Sequence, residues 1–314
     1  MRTMSNYEKA TKPTIYFIGV TTGSSSIMKV FPRWAEALGL KDAVIKGIDF
    51  KPHSEPEAYR EAVAFIKEDP LSLGALVTTH KIDLYNSCKD LFDYLDPFAK
   101  ELGEISCISK KDGQYRAHAK DPISSGLALE AFVPENYWKD HGGEVLLLGA
   151  GGASLAMSVY FTQEKFGENV PKRIVIANRS LPRLQEAKRI LEGRNKKVQF
   201  DFVHNPTPDK NDATLAGLPP YSLVVNATGL GKDGPGSPLT DACCFPENSL
   251  VWEINYRGDL VFKDQAQAQK EAKKLFIEDG WTYFIHGWTQ VVSEVFHVPI
   301  EGEVLERLSA LAKG

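Results

Sequence analysis

The sequence predicts an α/β fold: an N-terminal α/β domain followed by a doubly wound Rossmann domain. Apolar strand patterns alternate with amphipathic helix patterns along most of the 314 residues. A glycine-rich turn at residues 149–154 directly follows the apolar segment 144–148. A further strand and helix pattern comes after this turn, as the Rossmann fold requires.

The N-terminal half predicts strands that alternate with helices. Apolar runs predict strands at 14–20, 43–50 and 73–78. Amphipathic patterns predict a helix that contains Val30, Trp34 and Leu38 and closes at Gly39, and a second helix at 55–68. Asp112-Gly113 lies between two short apolar segments, 105–109 and 114–117, which is typical of a hairpin. A helix is expected from Asp121-Pro122 to Phe132.

The C-terminal half predicts a parallel sheet with helices between its strands. The expected strands are 144–148, 173–177, 198–203, 222–226 and 250–253. A helix follows the glycine turn, and another is expected at 182–192.

Composition and charge narrow the class of protein. A chain of 314 residues fits two domains, and a net charge of −4 disfavours nucleic-acid binding. The four cysteines have neither CxxC spacing nor histidines at ligand spacing, so we expect no metal and a reducing, cytoplasmic setting. Residues 1–12 lack the pattern of a targeting peptide, and no apolar run reaches the roughly 20 residues that span a bilayer.

The glycine turn predicts a cofactor. Gly149 ends a strand where the chain must turn tightly, and Gly151 lets the backbone approach a pyrophosphate. The amide groups of the following helix point toward the anion. The alternative is a tight structural turn without a ligand.

The next strand end favours NADP over NAD. NAD sites usually place a carboxylate there to hold the ribose hydroxyls, but this strand ends in Asn178, Arg179 and Ser180. Arg179 and Arg183 can instead pair with a 2′-phosphate. A solvated surface arginine is the alternative interpretation.

Four segments give the chain a resemblance to the shikimate/quinate dehydrogenase family: the turn 149–154, the strand end 178–180, the loop 226–231 and the strand end 254–256. The resemblance implies a substrate domain at 1–122 with returning helices at 286–314, and a Rossmann domain at 123–285. With Arg183, the expected cofactor residues are Gly149, Gly151, Gly152, Ala153, Ser154, Asn178, Arg179, Ser180, Asn226, Thr228 and Gly229.

The resemblance also implies a catalytic pair. The family has a lysine after a Val-Thr strand end and an aspartate that opens the interdomain helix, and these match Lys81 and Asp121. Oxidation of a secondary alcohol requires removal of the hydroxyl proton, which a lysine can accept while a carboxylate orients it. For an isolated lysine, the alternative is a solvated surface charge.

The expected substrate pocket departs from the family pattern. Ile27 replaces a second serine that grips the substrate carboxylate, Lys81 lies one residue early in its motif, and Lys120 replaces a threonine. Glu294 stands where a glutamine is expected, and Gln290, one helical turn earlier, is the alternative contact. The expected substrate residues are Ser25, Thr78, Ser106, Tyr256, Gln290 and Glu294.

The sequence therefore predicts an NADP-dependent oxidoreductase that interconverts a ring secondary alcohol and ketone. Shikimate, quinate or a related cyclitol acid is the expected substrate, and the resemblance implies a place in aromatic amino acid biosynthesis. A non-catalytic ligand sensor on the same fold and a dehydrogenase of a non-cyclic hydroxy acid are the alternatives. We expect a small-molecule substrate and neither a nucleic-acid nor a membrane partner, while reaction direction and the choice of monomer or homodimer stay open.

Overall fold

A computed structural model describes residues 7–194, 196–232 and 234–313. The chain divides into two compact units, one of Met1–Lys120 with Gly287–Gly314 and one of Asp121–His286. The domain boundaries expected from the sequence stay a prediction. The expected substrate domain begins and ends in residues 1–6 and 314, which lie outside the described part.

The first unit is built on a mixed six-stranded sheet in the order β2-β1-β3-β5-β6-β4. Strands β1 to β3 are parallel, β5 runs antiparallel to both β3 and β6, and β4 is parallel to β6. In chain order its elements are β1 (Thr14–Gly19), α1 (Ile27–Ala37), β2 (Val44–Asp49), α2 (Pro56–Glu68), β3 (Ser72–Val77), α3 (Lys81–Cys88), β4 (Tyr94–Leu95), α4 (Pro97–Leu102), β5 (Cys107–Lys111) and β6 (Gln114–His118).

Apolar periodicity explains how these helices pack. Val30, Phe31 and Trp34 lie on the buried face of α1. The buried face of α2 carries Tyr59, Val63 and Ile66, which join the same core cluster as Ile18 and Val77 of the sheet. One face of each helix therefore covers the sheet, and the strand ends are left to carry polar residues.

The second unit is an all-parallel six-stranded sheet in the order β12-β11-β10-β7-β8-β9. This is the strand order 3-2-1-4-5-6 of a Rossmann domain. Its elements are α5 (Asp121–Glu130), α6 (Tyr137–His141), β7 (Val145–Leu148), α7 (Gly152–Phe161), β8 (Arg173–Asn178), α8 (Leu181–Leu191), β9 (Gln199–His204), α9 (Pro208–Ala216), β10 (Leu223–Asn226), β11 (Leu250–Glu253), α10 (Val261–Gln267), α11 (Lys270–Lys273) and β12 (Phe276–Glu278).

Two further helices complete the chain. Helix α12 (Trp281–Phe296) begins in the second unit and ends in the first, and α13 (Gly302–Lys313) belongs to the first. The indole of Trp34 donates a hydrogen bond to the carbonyl of Leu308, which attaches α13 to α1. No helix in the described ranges is both long and apolar enough to cross a membrane.

The fold prediction is confirmed, with local differences. The hairpin strands lie at Cys107–Lys111 and Gln114–His118, so Ile105 and Ser106 precede the first strand. The sequence patterns did not predict β4 and β12, which are only two and three residues long. Strands this short carry too few alternating positions to produce a periodic signal.

Candidate active site

The glycine turn of the second unit requires glycine at one position. Gly149 follows β7 with φ +112°, and a Cβ there would lie 2.8 Å from the carbonyl oxygen of Ala227. Ser154 donates a hydrogen bond of 2.7 Å from its hydroxyl to the Gly149 carbonyl. Gly149 is therefore required by the fold, and the Ser154 hydroxyl braces the turn from within.

Gly151 differs because the fold does not require it. Its φ is −91°, and no described atom lies within 4 Å of a Cβ placed there. Helix α7 starts at the next residue with no side-chain cap and no acidic residue in its first turn. Free amides at a helix N-terminus, beside an open glycine, fit the pyrophosphate of a dinucleotide.

The end of β8 carries the expected 2′-phosphate residues. Arg179 is exposed, and its backbone carbonyl, rather than its guanidinium, is held by His204 at 3.1 Å. The Asn178 side chain donates a hydrogen bond to the carbonyl of Ser180, the residue that precedes α8. Arg183 is exposed in the first turn of α8. The pKa of Glu186 is lowered mainly by the hydrogen bond from Arg189, and the charge of Arg183 adds to this effect. The guanidinium groups of Arg179 and Arg183 are thus accessible to an anion.

The ends of β10 and β11 are joined by hydrogen bonds. Asn226 is fully buried, and its side-chain oxygen accepts bonds from the Thr228 amide at 3.1 Å and the Thr228 hydroxyl at 2.6 Å. Its side-chain nitrogen donates to the Glu253 carboxylate at 2.6 Å. Asn255 donates to the same carboxylate from its backbone amide and its side chain, at 2.9 and 2.6 Å.

The sequence interpretation did not single out Glu253, which joins the ends of β10 and β11. Its side chain is fully buried, and burial raises its pKa to about 7, although three donated hydrogen bonds and Lys263 oppose the shift. Because this pKa exceeds the 4.5 of a free side chain, ionisation of Glu253 costs folding free energy as pH rises between these two values. The sequence did contain a signal for this residue, since a glutamate at the end of an apolar strand is unusual.

Tyr256 lies just beyond this network, in an aromatic cluster. Its ring centroid is 4.6 Å from that of Phe284 and 5.7 Å from that of Trp281, both on α12. The tyrosine is thus oriented by packing at the base of α12.

In the first unit, Ser106 connects two strand ends. Its carbonyl accepts a bond from the Val77 amide at 2.9 Å, and its hydroxyl accepts one from the Lys120 amide at 2.7 Å. Thr78 follows Val77 and bonds to the Ile18 carbonyl of β1. Thr78, Ser106 and Lys120 therefore lie at the same end of this sheet.

Lys81 is the first residue of α3 and is half-buried. Its backbone amide donates to the Thr78 carbonyl, and its own carbonyl accepts from Ile105. The preceding residue, His80, is fully buried and lies 3.0 Å from the Tyr59 hydroxyl. Lys81 thus lies at a helix start, held by backbone bonds to Thr78 and to Ile105, the residue before Ser106.

Ser25 and Gln290 lie elsewhere in the first unit. Ser25 is nearly buried and ends a short 3₁₀ turn, with its amide bonded to the Thr22 carbonyl. Gln290 is half-buried on α12, one turn before Glu294. Ile27 stands in place of the family's second serine and is fully buried at the start of α1. Its hydrocarbon side chain offers no polar group to a substrate.

Glu294 forms a buried charge cluster that the sequence did not predict. One carboxylate oxygen accepts a bond from the Lys120 ammonium at 2.7 Å. The other lies 3.3 Å from His118 Nε2 and accepts a bond from the Ser109 hydroxyl at 3.3 Å. His118 Nδ1 in turn lies 3.6 Å from an Asp96 carboxylate oxygen. We call Asp96, Ser109, His118, Lys120 and Glu294 the charge cluster.

The charge cluster keeps the Glu294 carboxylate ionised and balances its negative charge. Burial raises the pKa of this carboxyl, but the hydrogen bond from Lys120 and the charge of His118 lower it more, so the net shift is downward. Glu294 is therefore ionised at neutral pH with its charge balanced locally. The glutamate and the lysine that depart from the family pattern are thus a matched pair.

Asp121 is the first residue of α5 in the second unit and is 9% exposed. Its carbonyl accepts bonds from the Ser125 hydroxyl at 2.7 Å and the Ser124 hydroxyl at 3.3 Å. Its carboxylate is thus presented at a helix N-terminus, where a negative charge is stabilised.

Comparison with curated proteins finds a shikimate dehydrogenase (NADP(+)) of Bacillus cereus that is 33% identical over 232 residues, covering 73% of this chain and 75% of the relative. The chain belongs to the shikimate dehydrogenase family. It is thereby an oxidoreductase of that family, and the predictions of family and enzyme class are confirmed. No family model matches the chain.

Solved structures of the same family share the fold. Shikimate dehydrogenase 1 from Peptoclostridium difficile matches with a TM-score of 0.70 at 16% identity, covering 96% of this chain and 97% of the other. Shikimate 5-dehydrogenase from Thermus thermophilus, in complex with NADP(H) and shikimate, matches with a TM-score of 0.67 at 19% identity, covering 95% and 99%. The predicted fold class is confirmed by these matches.

Proposed function

We propose that this family member is an NADP-dependent dehydrogenase of a ring secondary alcohol, with shikimate, quinate or a related cyclitol acid as substrate. The observation that carries the proposal is the open dinucleotide turn at Gly151 with an accessible Arg179 at the next strand end. Arg179 and Arg183 hold the 2′-phosphate, and no carboxylate stands at the end of β8 to favour NAD. The bound nicotinamide supplies the hydride acceptor or donor.

We assign the proton transfer to Lys81 and Asp121. In the oxidation direction, the neutral amine of Lys81 takes the hydroxyl proton as the carbonyl forms, and in reduction the ammonium returns it. Asp121, the aspartate of the matched family motif, accepts a hydrogen bond from the substrate. Their family motifs and the backbone bonds that hold Lys81 beside Thr78 support the assignment.

The charge cluster supports an acidic substrate. An isolated Glu294 carboxylate would repel the substrate carboxylate, but the Lys120 ammonium at 2.7 Å balances its charge. Ser25, Thr78 and Ser106 supply neutral hydrogen-bonding groups in the same unit. Tyr256 and either Gln290 or Glu294 complete the proposed substrate contacts.

Initial rates with shikimate and quinate, each with NAD and with NADP, test the proposal. Lys81→Met should lower kcat by about 10²- to 10⁴-fold, the usual contribution of a proton-transfer group. NADPH affinity, measured by its fluorescence, should stay unchanged. Lys41→Met, an exposed lysine outside the proposed site, is the matched control and should keep the wild-type rate.

Other results would contradict parts of the proposal. NADPH binding with no turnover of any ring alcohol would favour a ligand sensor. Turnover restricted to open-chain hydroxy acids would reject the ring substrate. A Lys81→Met variant with the wild-type rate would reject the assigned proton transfer.

We also place the protein in the cytoplasm, as a monomer or homodimer that binds small molecules and neither nucleic acid nor membranes. Its four cysteines are free thiols, as expected in a reducing compartment. Size-exclusion chromatography with light scattering would determine the oligomeric state.

A further inference from the structure

The buried carboxylate of Glu253 lies between two loops expected to meet cofactor and substrate. It ends β11, next to β10 in the parallel sheet. One oxygen accepts from the Asn226 side chain, and the other accepts from the backbone amide and side chain of Asn255. A buried carboxylate with three donors is costly to desolvate and is retained only where its bonds compensate.

These bonds set the course of both loops. Asn226 uses its side-chain oxygen to hold the amide and hydroxyl of Thr228. Asn255 adds a bond from its side chain to the Thr228 carbonyl at 3.3 Å and is followed directly by Tyr256. The position of Thr228 therefore depends on two asparagines, and both depend on Glu253.

We propose that Glu253 is a positioning residue that, through Asn226 and Asn255, holds the Thr228 loop in the conformation that receives the dinucleotide. The proposal rests on NADP as the cofactor, as stated under the proposed function. Glu253 itself touches neither cofactor nor substrate in this role.

The orientation of Asn226 explains why a carboxylate is needed. Its oxygen faces the Thr228 amide, which can only donate, so its nitrogen must face Glu253. A glutamine at 253 that keeps accepting from Asn255 turns its own nitrogen toward that of Asn226. Two donors then face each other at a separation of 2.6 Å in the present structure, and Asn226 must move.

Protonation should have the same effect as the glutamine. A proton on the oxygen that faces Asn226 converts an acceptor into a donor. With a pKa of about 7, Glu253 changes state near neutral pH. Few other ionisable groups lie on the elements next to Glu253. Lys263 of α10 is bonded to Asp279, and β10 carries no ionisable side chain. Strand β12 carries Glu278, which pairs with Trp252.

The experiment compares Glu253→Gln with the wild type by NADPH titration at about pH 8 and about pH 6, on either side of the pKa. We expect about tenfold weaker binding of the variant at the higher pH, and a ratio near unity at the lower pH. The 2′-phosphate titrates with a pKa of about 6 in both proteins, so the ratio rather than either curve reports on Glu253. Glu278→Gln on β12 is the control and should match the wild type at both pH values.

A reciprocal exchange distinguishes positioning from general damage. In Asn226→Asp combined with Glu253→Gln, the glutamine donates to the new carboxylate, which still accepts from Thr228. We expect the double variant to recover most of the affinity lost in Glu253→Gln. A loss that is equal at both pH values, or one that the exchange does not reduce, would overturn the proposal.

The wild-type protein provides a second test if Glu253→Gln does not fold. NADH lacks the 2′-phosphate, so its affinity should fall as Glu253 becomes protonated between about pH 8 and about pH 6. A constant NADH affinity over this range would overturn the proposal. Because these titrations need no turnover, an inactive enzyme with the expected binding would contradict only the proposed reaction.

Discussion

Removal of Lys120 from the charge cluster should destabilise the first unit. The Lys120 and Glu294 side chains are 13% and 19% exposed, so Lys120→Met leaves a largely buried carboxylate without its closest cation. Loss of one partner from a fully buried pair costs about 3–5 kcal/mol. Here His118 and Ser109 still contact Glu294 and some water reaches it, so we expect about 2 kcal/mol.

Urea unfolding of the wild type, Lys120→Met, Glu294→Gln and the double variant measures this effect. The double variant should be more stable than Lys120→Met because it removes the uncompensated charge, and the cycle should give a coupling of about 1–2 kcal/mol. Asp42, which pairs with Lys12 on the surface, provides the control: Asp42→Asn should change stability by less than about 0.5 kcal/mol.

The pH dependence of the same measurement has a defined sign. The folded state lowers the pKa of Glu294, so its contribution to stability is present above the unfolded pKa of about 4.5 and is lost as pH falls through the folded pKa. The difference in unfolding free energy between the wild type and Lys120→Met should therefore become smaller below about pH 4.5. A Lys120→Met variant as stable as the wild type, with no coupling in the cycle, would refute this account of the charge cluster.

Three further substitutions test the dinucleotide site. Arg179→Ala should raise the KM for NADP about tenfold and leave the KM for NAD unchanged, whereas Arg189→Ala, on the last turn of α8, should change neither. Equal effects on both cofactors would contradict the 2′-phosphate role. Gly149→Ala should cost about 1–3 kcal/mol because of its φ of +112° and its contact with Ala227, as thermal unfolding would show. Gly151→Ala should leave stability within about 0.5 kcal/mol but weaken NADPH binding, and unchanged binding would count against Gly151 as the point of pyrophosphate approach.

Local patterns in the sequence were sufficient for five of the six strands of the second unit and missed only the short β12. The strands β7, β10 and β11 are buried on both faces, so they appear as continuous apolar runs, and the expected strand 250–253 matches β11. The glycine turn was recognisable because its chemistry lies in consecutive residues. The boundaries of the hairpin in the first unit were less well predicted, since Ser106 pairs with Val77 and His118 through single backbone bonds before β5 begins.

The sequence by itself determined the family, the Rossmann turn and the candidate lysine and aspartate, because each depends on neighbouring residues or short motifs. Only the tertiary structure showed that Glu294 is neutralised, since Lys120 lies 174 positions earlier in the chain. The same holds for Glu253, whose partner Asn226 lies on the adjacent strand, 27 positions away. Charge balance and hydrogen-bond direction arise from contacts between distant segments, and the pattern of a single segment does not contain them.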